Sequence, residues 1–250
     1  MVGKTALITG ATSGIGMASA ELLASKGMKL ILCGRREDRL NELKSKFDSQ
    51  CQTLVFDVRD KKAVIEKIGS LPEPYKSIDI LINNAGNAHG LEPVHEADLN
   101  DWDKMIDSNF KGLLYVTKAI LPIMTSRNKG HIINIGSIAG KEVYPNGSVY
   151  CSSKFAVDSF TKGLRLDLNK FKIKVGVIHP GMVNTEFSQI RFKGDKIRAN
   201  KVYQGLTPLS PYDVAEVIYY MIQVPDHVNI ADILLLPSDQ ANTYINYREF

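Results

Sequence analysis

Cysteine is scarce in this chain. Cys33, Cys51 and Cys151 are its three cysteines, and none is spaced as a Cys-x-x-Cys pair. An odd, scattered set excludes a disulfide framework and fits a reducing compartment. The five histidines are equally dispersed, without metal-ligand spacing, so no metal site is expected. No apolar run approaches the ~20 residues needed to cross a bilayer, so no membrane span is expected. Dense blocks of one charge are missing too. The net charge is only +4, with Lys193–Lys201 the most basic neighbourhood, which suits small anionic molecules and makes no demand for nucleic acid. No repeat, low-complexity segment or linker divides the 250 residues. Met1-Val2-Gly3-Lys4-Thr5 runs directly into a strand pattern without a signal peptide, so the expected compartment is the cytoplasm.

Apolar residues make up 44% of the chain, enough for one sizeable core. Short apolar runs alternate with amphipathic stretches. Strands are expected at Thr5–Thr9, Met28–Cys33, Thr53–Phe56, Asp79–Asn83, His131–Ile135, Lys174–Ile178 and Asp232–Leu236. Helices are expected from Ile15 to just before Gly27, and over Arg36–Phe47, Lys61–Ile68, Val149–Phe171 and Pro211–Ile222. A further long helix is expected over Trp102–Arg127, with Pro122 as the place for an interruption. Alternating strands and helices build parallel β-α-β units. The expected fold is therefore α/β: a single doubly wound Rossmann-type domain over residues 1–250, with a seven-stranded parallel sheet flanked by helices.

The first strand-to-helix turn is Gly10-Ala11-Thr12-Ser13-Gly14-Ile15-Gly16. Glycines let the backbone turn tightly and approach a ligand, and the helix start offers free N–H groups and positive dipole to a pyrophosphate. The spacing is Gly-x-x-x-Gly-x-Gly rather than the commoner Gly-x-Gly-x-x-Gly. After the second strand, an acidic residue would hold the ribose hydroxyls of NAD. Arg35 and Arg36 stand there instead. Guanidinium groups suit the extra 2′-phosphate of NADP, and cations placed only for solvation would be disfavoured at a helix start. Ser13 offers a further hydroxyl donor. NADP is the expected cofactor.

Tyr150 and Lys154 lie four residues apart, one helical turn on the same face. A phenol titrates near ~10. A cation roughly 4 Å away, at an effective dielectric of about 20, favours the phenolate by about 4 kcal/mol before screening and desolvation. The pair is thus expected to exchange a proton near neutral pH. Cys151, about 100° round the helix from Tyr150, is expected to be a packing residue.

Read together, the glycine turn, Asn83-Asn84-Ala85-Gly86, Asn109, Ser137, the Tyr150/Lys154 pair and Pro180-Gly181 resemble the short-chain dehydrogenases/reductases over essentially the whole chain. Arg191-Phe192-Lys193-Gly194-Asp195, His227-Val228-Asn229-Ile230 and Leu236-Pro237 resemble the NADP-dependent 3-hydroxy-acid dehydrogenases of that family, those of serine and L-allo-threonine included. The resemblance implies that Tyr150 is the general acid/base, that Lys154 lowers its pKa and bonds the nicotinamide ribose, and that Ser137 donates to the substrate oxygen. It implies that Asn109 holds a water linking Lys154 to solvent. Asp57 and Val58 would flank the adenine, Asn84, Ala85 and Gly86 the adenosine ribose, and Pro180, Gly181, Val183 and Thr185 the nicotinamide and diphosphate. Gly10, Thr12, Ser13, Gly14, Ile15 and Gly16, with Arg35 and Arg36, complete the expected cofactor set.

Asn184–Pro208 is long, polar and without regular pattern, and is expected to be a loop covering the substrate at about residues 184–208. Arg191 is the first candidate to grip a substrate carboxylate, with its bidentate fork, and Lys193 the second. The implied substrates are short 3-hydroxy acids or the matching carbonyl compounds. A 3-oxoacyl-carrier reductase or broad carbonyl reductase is the alternative, and the Leu236-Pro237-Ser238-Asp239 ending and the Arg191 loop count against the carrier reductase. A non-catalytic nucleotide sensor would have no need of Asn109, Ser137, Tyr150 and Lys154 together. The related enzymes are usually homotetramers, and the aromatic, charged Tyr244–Phe250 tail is a candidate to reach a neighbouring subunit.

Overall fold

The computed structural model describes residues 2–250; Met1, where the expected leaderless start begins, lies outside the described residues. The strands are β1 (Thr5–Thr9), β2 (Lys29–Gly34), β3 (Cys51–Val55), β4 (Ile80–Asn83), β5 (Gly130–Ile135), β6 (Ile173–Pro180) and β7 (Asp232–Leu235). They form one seven-stranded sheet in the order β3-β2-β1-β4-β5-β6-β7, parallel at every pairing. The helices are α1 (Gly14–Ser25), α2 (Glu37–Phe47), α3 (Lys61–Gly69), α4 (Leu99–Ile106), α5 (Gly112–Thr125), α6 (Ser148–Leu168), α7 (Phe187–Arg191), α8 (Lys196–Lys201) and α9 (Pro211–Gln223).

Parallel strands covered on both faces need apolar residues at every position, not alternate ones. Accordingly Thr5–Thr9 and Ile80–Asn83 are buried throughout. Ala6, Ile8, Leu30, Leu32, Ile80, Ile82 and Ile133 pack on the face covered by α1, α2 and α9. Leu7, Ile31, Cys33, Leu81, Ile132 and Val175 pack on the face covered by α3, α5 and α6. A chain of buried polar bonds crosses this second face. The Asn83 amide donates to Thr117 Oγ1 and to Asn134 Oδ1, both at 2.9 Å, and the Asn134 amide donates to Thr161 Oγ1 at 2.8 Å. It fixes β4 and β5 against α5 and α6.

Helix ends follow local chemistry. Asp60 and Asp98 cap α3 and α4 by accepting from backbone N–H groups. Ser210 and Asp213 form a capping box on α9, with Pro211 in its first turn. Gly27, at φ +75, takes the left-handed position just beyond α1.

The expected long helix is broken elsewhere than at Pro122. Pro122 sits in the last turn of α5, and the break is a π-helical turn at Asp107–Lys111. Inside that turn Asn109 accepts from the Asn87 N–H at 2.7 Å and donates to the Asn87 carbonyl at 2.8 Å and to Ser153 Oγ at 3.0 Å. A widened turn re-aims one side chain inward, and such turns cluster at functional sites. The segment expected to be irregular contains α7 and α8. Asp195 caps α8 by accepting from the Ile197 and Arg198 N–H groups; both helices are too short to show a 3.6-residue period. Strand ends also differ: β3 begins at Cys51, paired with Leu30, and β6 runs on to Pro180. No helix among the described residues is long and apolar enough to cross a membrane.

Asn134→Val removes two buried bonds, the one Asn134 accepts from the Asn83 amide and the one it donates to Thr161 Oγ1. It is expected to lower unfolding stability by about 2 kcal/mol, measured by chemical denaturation.

Candidate active site

β1 is flanked by β2 on one side and β4 on the other, so the connections leaving β1 and β4 run to different sides and open a cleft at their carboxyl ends. Asn84 holds this divergence: its side-chain amide donates to the Thr9 carbonyl at 2.9 Å and the Gly10 carbonyl at 3.2 Å. Thr9 Oγ1 accepts in return from the Asn84 and Ala85 N–H groups, both at 3.0 Å. Gly10 is at φ +65, and a Cβ on Gly16 would lie 2.4 Å from the Gly10 carbonyl oxygen. The turn closes tightly only because both positions lack side chains.

One cleft of about 870 Å³ is lined by every expected site residue except Gly16, Asn109 and the second carboxylate candidate, Lys193. Gly16 packs inward on the turn itself. Asn109 stands behind Gly86, where a Cβ would lie 2.9 Å from Asn109 Oδ1 and 3.7 Å from Lys154 Nζ.

At the expected 2′-phosphate end, the two arginines differ. Arg36 is built in: Nε and Nη2 donate to Thr12 Oγ1 at 3.0 and 2.9 Å, Nη2 to Ser13 Oγ at 2.8 Å, and Nη1 to Glu186 Oε2 at 2.8 Å. Arg35 is 59% exposed and pairs with Asp57 only at 3.6 Å. Glu186 and Arg39 were not foreseen from the sequence. Arg39 donates to Glu186 Oε1 at 2.7 Å, so two guanidiniums hold one carboxylate from the chain leading into α7. Burial works to raise Glu186, but the bonds from Arg36 and Arg39 prevail and hold it below the usual carboxylate range. The Arg36-x-x-Arg39 helical spacing was the available signal for Arg39. Asp57 is likewise held low against burial, by Arg59 and Arg35. Bare glycines beside guanidinium and hydroxyl donors fit a phosphorylated dinucleotide.

At the other end, Tyr150 and Lys154 stand on the buried face of α6. Lys154 Nζ donates to the Ile135 carbonyl at 2.9 Å and lies 6.0 Å from the centre of the Tyr150 ring. The electrostatics depart from the expectation of a lowered phenol. Burial raises Tyr150 well above 10, reinforced by Tyr144, while a bond to Ser137 and the charge of Arg191 work to lower it. Lys154 is itself lowered to about 8 by burial. The expected 4 Å pairing supposed a solvated site; in the protein both groups are desolvated, and desolvation favours the uncharged form of each. Cys151 is buried beside Tyr150, Ala139 and Met105, and burial raises its thiol, as a packing residue requires.

Arg191, the last residue of α7, donates from Nε to the Gly90 carbonyl at 3.0 Å. Its guanidinium carbon lies 5.4 Å from the centre of the Tyr144 ring and 5.9 Å from that of Tyr150. Lys193, the second candidate, is taken: its ammonium lies 2.7 Å from the buried Asp101 carboxylate. The segment at residues 184–208 is tied down by Tyr203, whose hydroxyl donates to the Val183 carbonyl at 2.9 Å and accepts from Ser188 at 2.8 Å.

A doubly wound sheet with a glycine turn at its switch point and a Tyr-Lys pair across the same cleft defines a dinucleotide-binding α/β protein equipped to move protons. The model of the short chain dehydrogenases matches residues 4–196, and the chain belongs to that family. The probable NADP-dependent dehydrogenase of Haemophilus influenzae is 46% identical over 238 residues, 95% of this chain and 94% of the relative. The NADP-dependent 3-hydroxy acid dehydrogenase of Schizosaccharomyces pombe is 45% identical, covering 99% of this chain and 97% of its own. Among solved structures, a closed form of serine dehydrogenase complexed with NADP+ superposes with a TM-score of 0.94 at 44% identity, covering 98% of this chain and 100% of that one.

Lys154→Met tests the cost of the buried ammonium. A base lowered from 10.5 to about 8 destabilises the fold fully below about pH 8, and the penalty fades as pH rises toward 10.5. The stability of the variant relative to wild type is expected to fall by about 3 kcal/mol between pH 7 and pH 10.5, read by denaturant titration at each pH.

Proposed function

We propose that the chain is an NADP-dependent oxidoreductase of CH–OH groups, acting between NADP(H) and short 3-hydroxy acids such as serine or allo-threonine, or the matching carbonyl compounds. The observation that carries the reading is Arg191 lying against Tyr150 and Tyr144 in the same cleft that the glycine turn lines. A cation one ring away from the proton-handling group suits an acid whose carboxylate lies close to the reacting hydroxyl.

The glycine turn from Gly10 to Gly16 would face the diphosphate, with Arg35, Arg36, Thr12 and Ser13 at the 2′-phosphate. Asp57 and Val58 would flank the adenine, Asn84, Ala85 and Gly86 the adenosine ribose, and Pro180, Gly181, Val183 and Thr185 the nicotinamide side. When bound, NADP supplies the hydride acceptor and its reduced form the donor. The chain handles everything else. In oxidation Tyr150 takes the substrate's hydroxyl proton; in reduction it returns one to the carbonyl oxygen. Ser137 donates a hydrogen bond to the same oxygen and stabilises the charge that develops there. Lys154 supplies positive potential beside Tyr150 and reaches the nicotinamide ribose, and Asn109, bonded to Asn87 and Ser153, serves the passage of protons from Lys154 to solvent. Arg191 grips the carboxylate, and residues 184–208 cover it.

The raised Tyr150 sets the pH behaviour. Its acid form prevails at neutral pH and feeds carbonyl reduction, whereas oxidation needs the phenolate. Oxidation is therefore expected to accelerate steadily from neutral to alkaline pH, while reduction stays level over the same range because the acid form of Tyr150 is not depleted there.

A cytoplasmic homotetramer fits this reading. Leu166 on α6 is 80% exposed, and the tail presents Tyr244, Ile245, Tyr247 and Phe250 to solvent. These are apolar surfaces that subunit packing would cover.

Initial rates with serine, allo-threonine, 3-hydroxypropionate and 3-hydroxyisobutyrate, followed through the reduced cofactor's absorbance, test the assignment. NADP+ is expected to exceed NAD+ in kcat/KM by at least about tenfold, the worth of one charge-assisted bond of about 1.5 kcal/mol. Equal use of the two would refute the roles of Arg35 and Arg36. Arg191→Ala is expected to raise KM for the acids by at least about tenfold while leaving KM for NADP+ within about twofold. An unchanged KM for the acids would remove Arg191 from the substrate site.

A further inference from the structure

Behind Ser137 lies a charged cluster that the proposed reaction leaves unused. His179, the penultimate residue of β6, is 0% exposed. Its Nδ1 is 3.0 Å from the Ser137 carbonyl oxygen. A carbonyl only accepts, so Nδ1 carries the hydrogen. Nε2 faces the other way, 3.4 Å from Asp158 Oδ1 and 3.6 Å from Asp232 Oδ1, and makes no hydrogen bond among the described residues. Lys141 Nζ bridges these two carboxylates at 3.1 and 2.6 Å, and Lys162 Nζ lies 2.7 Å from Asp158 Oδ2. The ligand atoms of Asp158, His179 and Asp232 lie close enough to hold a metal ion. The Lys141 ammonium already supplies the cation between the two acids, so the cluster is an ion-pair network.

The network joins elements that must keep register during reaction. Lys141 follows the Ile138–Gly140 turn, Asp232 opens β7, and Asp158 lies one helical turn beyond Lys154 on the face of α6 that carries Tyr150. At its centre the imidazole is wedged against bare backbone, since a Cβ on Gly136 would lie 2.6 Å from His179 Nδ1. The Ser137 carbonyl also accepts from the Gly140 N–H at 2.8 Å, and Ser137 Oγ accepts from the Ala139 N–H at 3.1 Å. The peptide that aims the Ser137 hydroxyl is thus held from below by His179 and from its own turn.

We propose that His179 is a positioning residue: its Nδ1–H bond to the Ser137 carbonyl fixes the serine hydroxyl relative to Tyr150, and close packing of the ring against Gly136 keeps it from turning away. The proposal rests on the reading of Ser137 as donor to the substrate oxygen. A small displacement of such a group costs up to about a hundredfold in rate.

Three substitutions separate the bond from the bulk. The amide nitrogen of His179→Asn stands where Nδ1 stood, that of His179→Gln where Nε2 stood, and His179→Leu has neither. His179→Gln and His179→Leu are expected to lose at least about tenfold in kcat with NADPH affinity, by fluorescence titration, within about twofold of wild type; His179→Asn is expected to recover to within about threefold. The proposal is overturned if His179→Gln keeps full kcat, or if His179→Asn falls as far as His179→Gln at unaltered melting temperature and NADPH affinity. Should His179→Leu not fold, the Asn and Gln pair decides alone. Ser137→Ala run alongside is expected to lose activity more severely. Full activity in that variant would instead refute the role of Ser137 itself and take the positioning role down with it.

Discussion

The site depends on one bond: the Lys154 ammonium, drawn out of water, donating to the main-chain carbonyl of Ile135. Among the described residues no carboxylate pairs with it, and burial alone lowers it to about 8. That bond ties α6 to the carboxyl end of β5, two residues before Ser137. The surrounding backbone is shaped around it. Gly140 lets the turn after Ser137 pack on α6, where a Cβ would lie 2.7 Å from the Lys154 carbonyl. Gly86 leaves room for Asn109, and the π-helical turn points Asn109 inward. A cation held so has a cost, and the fold meets it with the apolar faces of the sheet on either side.

The two ends of the cleft use charge differently. At the Arg36 end, Arg36, Arg39 and Glu186 are half-exposed and compensate one another, so their pairing orders side chains more than it stabilises the fold. At the other end, Tyr150 and Lys154 are buried, and both are pushed toward their uncharged forms. Low dielectric makes each nearby dipole count for more there, which is the condition under which a serine hydroxyl can stabilise a developing alkoxide. α7 joins the two ends: Glu186 immediately before it reaches Arg36, just ahead of α2, and Arg39 within it, and Arg191 at its end reaches the tyrosines.

Much of the site could be read before the structure. Continuous apolar runs marked the strands, because a parallel sheet is buried on both faces. The glycine spacing marked the tight turn, because Gly10 and Gly16 have no room for a side chain. The misreadings share a cause. Pro122 was the expected break because proline removes a local donor, yet α5 runs on past it to Thr125; the real break answers to Asn87 and Ser153, which are remote in sequence. Residues 184–208 were read as irregular because helices as short as α7 and α8 carry too few residues for a period. The phenol was expected to be lowered because spacing shows a neighbouring charge and says nothing of desolvation.

By itself the sequence determined the order of the strands and of most of the longer helices, the tight turn at Gly10–Gly16, and the placing of Tyr150 and Lys154 on one helical face. These follow from sterics and periodicity acting within a few residues. Only the tertiary structure decided which charges are free and which are spent. Arg36 meets Glu186 across 150 residues, Lys193 is consumed by Asp101, and His179 finds the Ser137 carbonyl. Burial and pairing are properties of the packed chain, since both depend on what the fold brings near and on how much water it removes.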